Sequence, residues 1–286
     1  MPGLSFVKIL GNLKFFGNGL KQSVDWKQPQ GNPKAKQYTD SFKPSELAVA
    51  PTLIPPWFMP ASVNKYHVDP ADKIGKEMKD FHDTMLDAVG FSHNMWKLQA
   101  KFKDLKVMAV SAIGTPGCLD GPELESNIKN APMCAAWSGN KAKWRDAVAK
   151  GVSKCFKDWQ DKVMVPGLPW YPAFACFPGP MAPPMPNIPT PLIACPSAMM
   201  TKIAAPMDMK NAMIDAFSLE QADKQFEAMA DALSTVLAMA FLMWLPSQQV
   251  MLVMGKGPIP TFAPPYVPVG PVVMGDNLAI PGHLMS

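Results

Sequence analysis

The sequence predicts a mainly α fold: two helical blocks linked by long extended proline-rich segments, with few short strands. Three observations carry that expectation. Apolar residues recur at helical spacing across 69–163 and 207–245. The chain has 32 prolines in 286 residues, many of them clustered outside those blocks, which excludes a continuous parallel sheet. Finally, 8 tryptophans, 15 phenylalanines and 22 methionines supply ample apolar surface to bury, which argues against disorder.

Taken in order, 1–68 reads as an extended basic arm. Within it, 1–16 carries Phe6, Ile9, Leu10, Leu13 and Phe16 at the spacing of a short amphipathic helix that docks on a neighbouring chain. Lys8, Gly11 and Lys14 interrupt it before a signal-peptide core forms. The stretch PTLIPPWFMP (51–60) places Trp57 and Phe58 among four prolines, which fix φ and bias their predecessors toward extended backbone.

A helical block follows over 69–165. Asp69 caps it, Pro70 suits the first turn, and Ile74, Met78, Phe81, Met85 and Val89 form one stripe ending at Gly90, a C-cap. A second helix over 92–106, with Met95, Leu98, Phe102 and Leu105 inward, completes a helical hairpin. VMAVSAI (107–113) is open between helix and buried strand. A short helix near 122–130 precedes the best-patterned segment, a helix from Asn140 with Trp144, Val148, Val152, Cys155, Phe156, Trp159 and Val163 on one face. Its other face bears Lys141, Lys143, Lys150, Lys154, Lys157 and Lys162, read as a solvated face with phosphate binding as the sharper alternative.

Residues 166–206 form an apolar proline-rich segment. From 163 to 201 there are eleven prolines and no charged side chain, so no helix passes through and no central strand forms. Trp170, Tyr171, Phe174 and Phe177 on this stretch need cover, within the chain or between subunits. The second helical block, 207–254, carries a capping box at Ser218 and Gln221 and a helix that Pro246 stops. Its stretch 232–255 has the length of a membrane span, although Ser234, Thr235, Pro246, Ser247, Gln248 and Gln249 divide it. VMLVMG (250–255) reads as a short strand. The tail 255–286 is again proline-rich and includes Tyr266.

Charge and chemistry narrow the function classes. Eight lysines against three acids give 1–68 a balance of +5, so nucleic acid or an acidic surface is an alternative partner for the arm. Cys118, Cys134, Cys155, Cys176 and Cys195 are an odd, widely spaced set without a CxxC, as expected of free thiols in a reducing cytoplasm rather than a disulfide framework or zinc finger. His67, His82, His93 and His283 form no ligand or triad spacing. GKG (255–257) lacks the rest of a phosphate loop. The sequence therefore predicts no enzyme, no catalytic residue, no metal and no cofactor.

FPGPMAPPMPNIPTPL (177–192) and GPVVMGD (270–276) resemble the proline-punctuated style of virion and contractile-tail proteins. Pro183-Pro184-Met185-Pro186-Asn187 is similar to a run in PAAR-like spike-tip proteins of phage tails and type VI secretion systems. The zinc-ligand histidines and cysteine of such tips are missing, so no residue role carries over. The resemblance implies a structural subunit of a phage-like particle, in its tail apparatus or associated with its capsid. Such a subunit would be made in the cytoplasm and bound to copies of itself and to other structural subunits. The expected interface residues are Trp57, Phe58, Trp170, Tyr171, Phe174, Phe177 and Tyr266, aromatic anchors on stiff backbone. A membrane-inserting component using 232–255 and a nucleic-acid-contacting protein using the arm are the alternatives.

Overall fold

A computed structural model describes residues 3–17, 65–217, 225–261 and 270–284. Seven α-helices are present among these residues: α1 (Lys8–Gly17), α2 (Lys65–Gln99), α3 (Leu124–Lys129), α4 (Gly139–Gln160), α5 (Thr201–Ala204), α6 (Pro206–Asp215) and α7 (Gln225–Ser247). The mainly α expectation is corrected by what accompanies them. A six-stranded antiparallel sheet and two two-stranded sheets, β1 (Lys101–Phe102) with β4 (Leu119–Asp120) and β7 (Thr190–Pro191) with β8 (Gln249–Val250), make the fold mixed α/β, 50 % helix and 19 % strand.

The helical layer is built from heptad-like stripes that meet in one aromatic core. α2, α4 and α7 each contribute a pair of rings at i, i+3: His93 and Trp96, Phe156 and Trp159, Phe241 and Trp244. All six are buried. Most of their contacts are edge-to-face, with His93 against Trp244 at 4.4 Å and Trp96 against Phe156 at 4.8 Å, a geometry that ring quadrupoles favour. Two indoles find acceptors inside the core: Trp96 Nε1 donates to Gln160 Oε1 at 2.7 Å and Trp244 Nε1 to Gln248 Oε1 at 3.1 Å.

α2 is one continuous helix, so the helical hairpin expected at Gly90 does not form. Gly90 is there for a close approach instead: a Cβ would stand 3.0 Å from the Phe6 ring. Past Gln99 the chain turns to strand, so Phe102 and Leu105 are buried from extended backbone rather than from a helix, and Leu98 is exposed. α4 begins one residue before Asn140, after Ser138. Pro246 lies inside the last turn of α7, which ends at Ser247.

The sheet runs in the order β5 (Val165–Pro169), β3 (Ser111–Gly114), β2 (Lys106–Met108), β10 (Gly275–Asn277), β9 (Met254–Pro258), β6 (Met181–Pro186). Its two outer strands carry most of its prolines, and the one proline of the inner strands is Pro258, the last residue of β9. Proline cannot donate to a ladder, so the strands carrying Pro166 and Pro169, and Pro183, Pro184 and Pro186, sit at the edges. The expectation that 163–201 stays out of a central strand agrees with this, but the segment is a sheet former all the same. The pairing of β6 with β9 shifts register between Ala182 and Met185, where the adjacent prolines fall. VMAVSAI becomes the β2–β3 hairpin, with Ala109 at φ 51° in its two-residue turn.

Across the inner face of the sheet, Leu168, Ala112, Val107, Gly275, Gly257 and Ala182 form one rung, all buried. Small residues are required there because Val272 lies on Gly257 and Gly275, and Trp170 lies on the neighbouring Gly255 at 3.0 Å from a built Cβ. Side-chain amides then supply the hydrogen bonds that proline-rich backbone lacks. Asn187 donates to the carbonyls of Ile188 and Val250 and accepts from the Val253 N–H. Asn277 accepts from the Leu105 N–H and donates to the Phe102 carbonyl. Gln248 donates to the Leu284 carbonyl.

A candidate interaction face

The outer face of the sheet is open to solvent, and its residues fall in two rows. Pairing is in register at Met108↔Ser111 and Met181↔Pro258. Met274 directly precedes β10, which lies between β2 and β9; there the chain leaves the ladder, with the Val273 N–H donating to the Pro258 carbonyl and the Ala109 N–H to the Val272 carbonyl. The first row therefore reads Ser111, Met108, Met274, Pro258, Met181, from four strands and the residue that leads into β10. Its methionines are 52 %, 73 % and 56 % exposed, in the order 108, 274, 181. The second row reads Ile113, Lys106, Asp276, Lys256. Lys106 Nζ donates to Asp276 Oδ1 at 2.6 Å, and that carboxylate raises the Lys106 pKa above its ordinary value. Lys256 has no acidic partner among the described residues.

Met274 is also held at φ 53°, a left-handed conformation that costs a non-glycine residue about 1 kcal/mol. Leu252, at φ 59°, is likewise exposed. Neither side chain gains burial inside the chain in return. A methionine row is a surface that adapts its shape to what covers it.

The aromatic residues expected at an interface divide differently. Trp170 and Phe174 are buried in this chain's own core, 6.3 Å apart, and Trp170 Nε1 donates to the Met185 carbonyl at 3.0 Å. Both are covered within this chain, and Gly255 of the sheet leaves the slot that takes the indole. Tyr171 is 44 % exposed and Phe177 half-buried, bridged to Gly270. Trp57, Phe58 and Tyr266 lie outside the described residues. The N-terminal helix docks on this chain, against α2 and α7, with Gly11 and Phe15 inward and Ile9 and Leu13 exposed, unlike the expected stripe. α7 is long and apolar enough to cross a membrane, and 67 % of its most apolar stretch is buried within the chain.

Reactive groups do not converge among the described residues. No cluster of three His, Cys, Asp or Glu side chains is placed to hold a metal there. Burial pushes the thiols of Cys118 and Cys155 up to about 11 and Cys195 to about 12, so all three stay protonated at neutral pH. Cys176 is exposed. A cleft of about 660 Å³ between α2 and the start of α4 is lined by Glu77, Phe81, Asn140, Lys141 and Trp144, with the Lys141 ammonium 4.2 Å over the Trp137 ring. It contains no nucleophile beside a base.

The methionine row was missed because the strands of its sheet are three to six residues long and come from distant parts of the chain. The available signal was alternation in KVM, SAIG and MGKGP, together with the methionine count. Comparison with protein-family models, curated proteins and solved structures finds no match.

Proposed function

We propose that the protein is a structural subunit of a larger assembly, of the phage-like or contractile-tail kind that its proline-rich segments resemble, and that the open sheet face meets a neighbouring subunit. The observation that carries this reading is the exposed row Met108, Met274, Pro258 and Met181 on an otherwise well-packed sheet. Apolar side chains set in register on a rigid sheet lose little entropy on docking. Prolines on both edge strands discourage strand-to-strand polymerisation, so contact through the face is the route left to this sheet. Lys256, which has no acidic partner among the described residues, adds a cation for a carboxylate on the neighbour.

Sedimentation velocity at rising concentration tests it, with the triple variant Met108→Ser, Met181→Ser, Met274→Ser beside the unaltered chain. Association of the unaltered protein, lost in the variant at unchanged melting temperature, supports the reading. A protein that remains monomeric at high concentration without detergent or partner, or a variant that associates equally well, contradicts it.

A further inference from the structure

α1 lies against α2 and α7, and the atom beneath its closest approach is a histidine nitrogen. Gly11 faces His82 Nε2, and a side chain at position 11 would overlap both that nitrogen and the Val236 methyl. His82 is fully buried. Its Nδ1 stands 2.9 Å from Asp83 Oδ1. A carboxylate accepts only, so the neutral ring carries its proton on Nδ1 and donates it to Asp83. Nε2 is then a bare lone pair, and it finds no hydrogen-bond partner.

We propose that His82 is an acid-sensitive latch: proton uptake at Nε2 releases the N-terminal helix α1 from its seat on α2 and α7. The proton comes from solvent and forms an N–H bond directed at Gly11 and the Val236 methyl, where nothing accepts it. A buried donor without an acceptor is costly, and a buried cation more so. With α1 displaced, the imidazolium is solvated and both penalties vanish.

The charged groups on the elements packed here are Asp83 and Asp87 on α2, Lys8 and Lys14 on α1, and Asp231 on α7, which Lys210 of α6 also approaches. Asp83 favours the proton and Lys8 opposes it, but burial outweighs Asp83 and holds the docked histidine below its ordinary 6.5. The released histidine titrates near 6.5. Docking is therefore fully stable above pH 6.5 and weakens as the pH falls from there. What opposes release is the buried Phe15 ring, the Asn12 to Asp83 hydrogen bond at 3.1 Å, and the ion pairs Lys8–Asp87 at 2.7 Å and Lys14–Asp231 at 3.1 Å. Part-exposed pairs of that kind hold weakly. This latch is independent of the sheet face, which lies on other elements.

Hydrogen exchange of the full chain between about pH 7.5 and about pH 5, corrected for intrinsic rates, tests it. Protection of 8–15 is expected to fall by up to tenfold per pH unit below 6.5, while 85–96 of α2 stays protected. His82→Gln should remove that dependence. Gly11→Ala, which sets a methyl on Nε2, should expose 8–15 already at neutral pH with cooperative unfolding retained. Constant protection of 8–15 in the unaltered chain overturns the latch. So does an equal loss in His82→Gln, or a fully protected Gly11→Ala strap at neutral pH.

Discussion

The helical layer and the sheet layer bury their aromatic rings by opposite means. In the helices, spacing does the work: three pairs at i, i+3 on α2, α4 and α7 interlock because each helix repeats its own period. In the sheet, the rings come from irregular proline-bearing chain, and the sheet yields space to the Trp170 ring at Gly255, with Gly257 and Gly275 making room for Val272 beside it. The helical layer satisfies its backbone internally. The sheet layer depends on Asn187, Asn277 and Gln248 reaching across to carbonyls and amides distant in sequence. One layer is self-sufficient, and the other is assembled from parts that lack local reasons to stay.

Acid sharpens this comparison most. His93, in the helical core, has both ring nitrogens buried without partners, and burial depresses its pKa to about 3. His283, on the sheet side, accepts from the Phe102 N–H at 2.8 Å and is depressed to about 4. Both are ordinary in the unfolded chain, so their stability contribution is intact above pH 6.5 and is lost as pH falls from 6.5 toward those values. Each costs about 1.4 kcal/mol per pH unit over that window. Urea melts at stepped pH should show the combined slope, to which the buried His82 also adds, and His93→Phe should remove the His93 share of it.

Truncating one indole in each layer comes next. Trp96→Ala and Trp170→Ala should each destabilise by about 3–5 kcal/mol, because both are fully buried with bonded Nε1 atoms. A Trp170→Ala chain that melts normally but fails to associate would return that residue to an interface. Asn187→Ala should cost about 1–3 kcal/mol, since two carbonyls and one N–H lose their partner. Calorimetry reads both effects, and an asparagine change without effect would break the claim that the sheet layer leans on its amides.

The same contrast explains what was legible. The α2 stripe through Phe81, Met85 and Val89, and the α4 stripe from Trp144 to Trp159, could be read because a helix writes its burial into neighbouring residues. The sheet could not: Lys106 pairs with Asp276, 170 residues away, and neither strand exceeds three residues. Proline keeps β5 and β6 out of the centre of the sheet, as the sequence indicates, but the expectation of few strands overlooks that such segments can form its edges. Gly90 was misread because a glycine that admits a neighbouring ring looks, in sequence, like one that ends a helix. For Trp170 and Phe174 the sequence leaves open what covers them, since aromatic residues between prolines announce burial without saying by what, and the structure covers both within the chain.

Serine at Met108, Met181 and Met274 is the smallest expected effect on stability, within about 0.5 kcal/mol for each site, because these side chains touch little inside the chain. Methionine oxidation footprinting uses that exposure to test the proposed assembly face most directly. In dilute monomer, Met108, Met181, Met274 and the exposed Met207 on α6 should all oxidise readily. In the associated protein, the three sheet methionines should become protected while Met207 stays reactive. Equal oxidation of Met108, Met181 and Met274 in both states would contradict the assignment of this face to subunit contact.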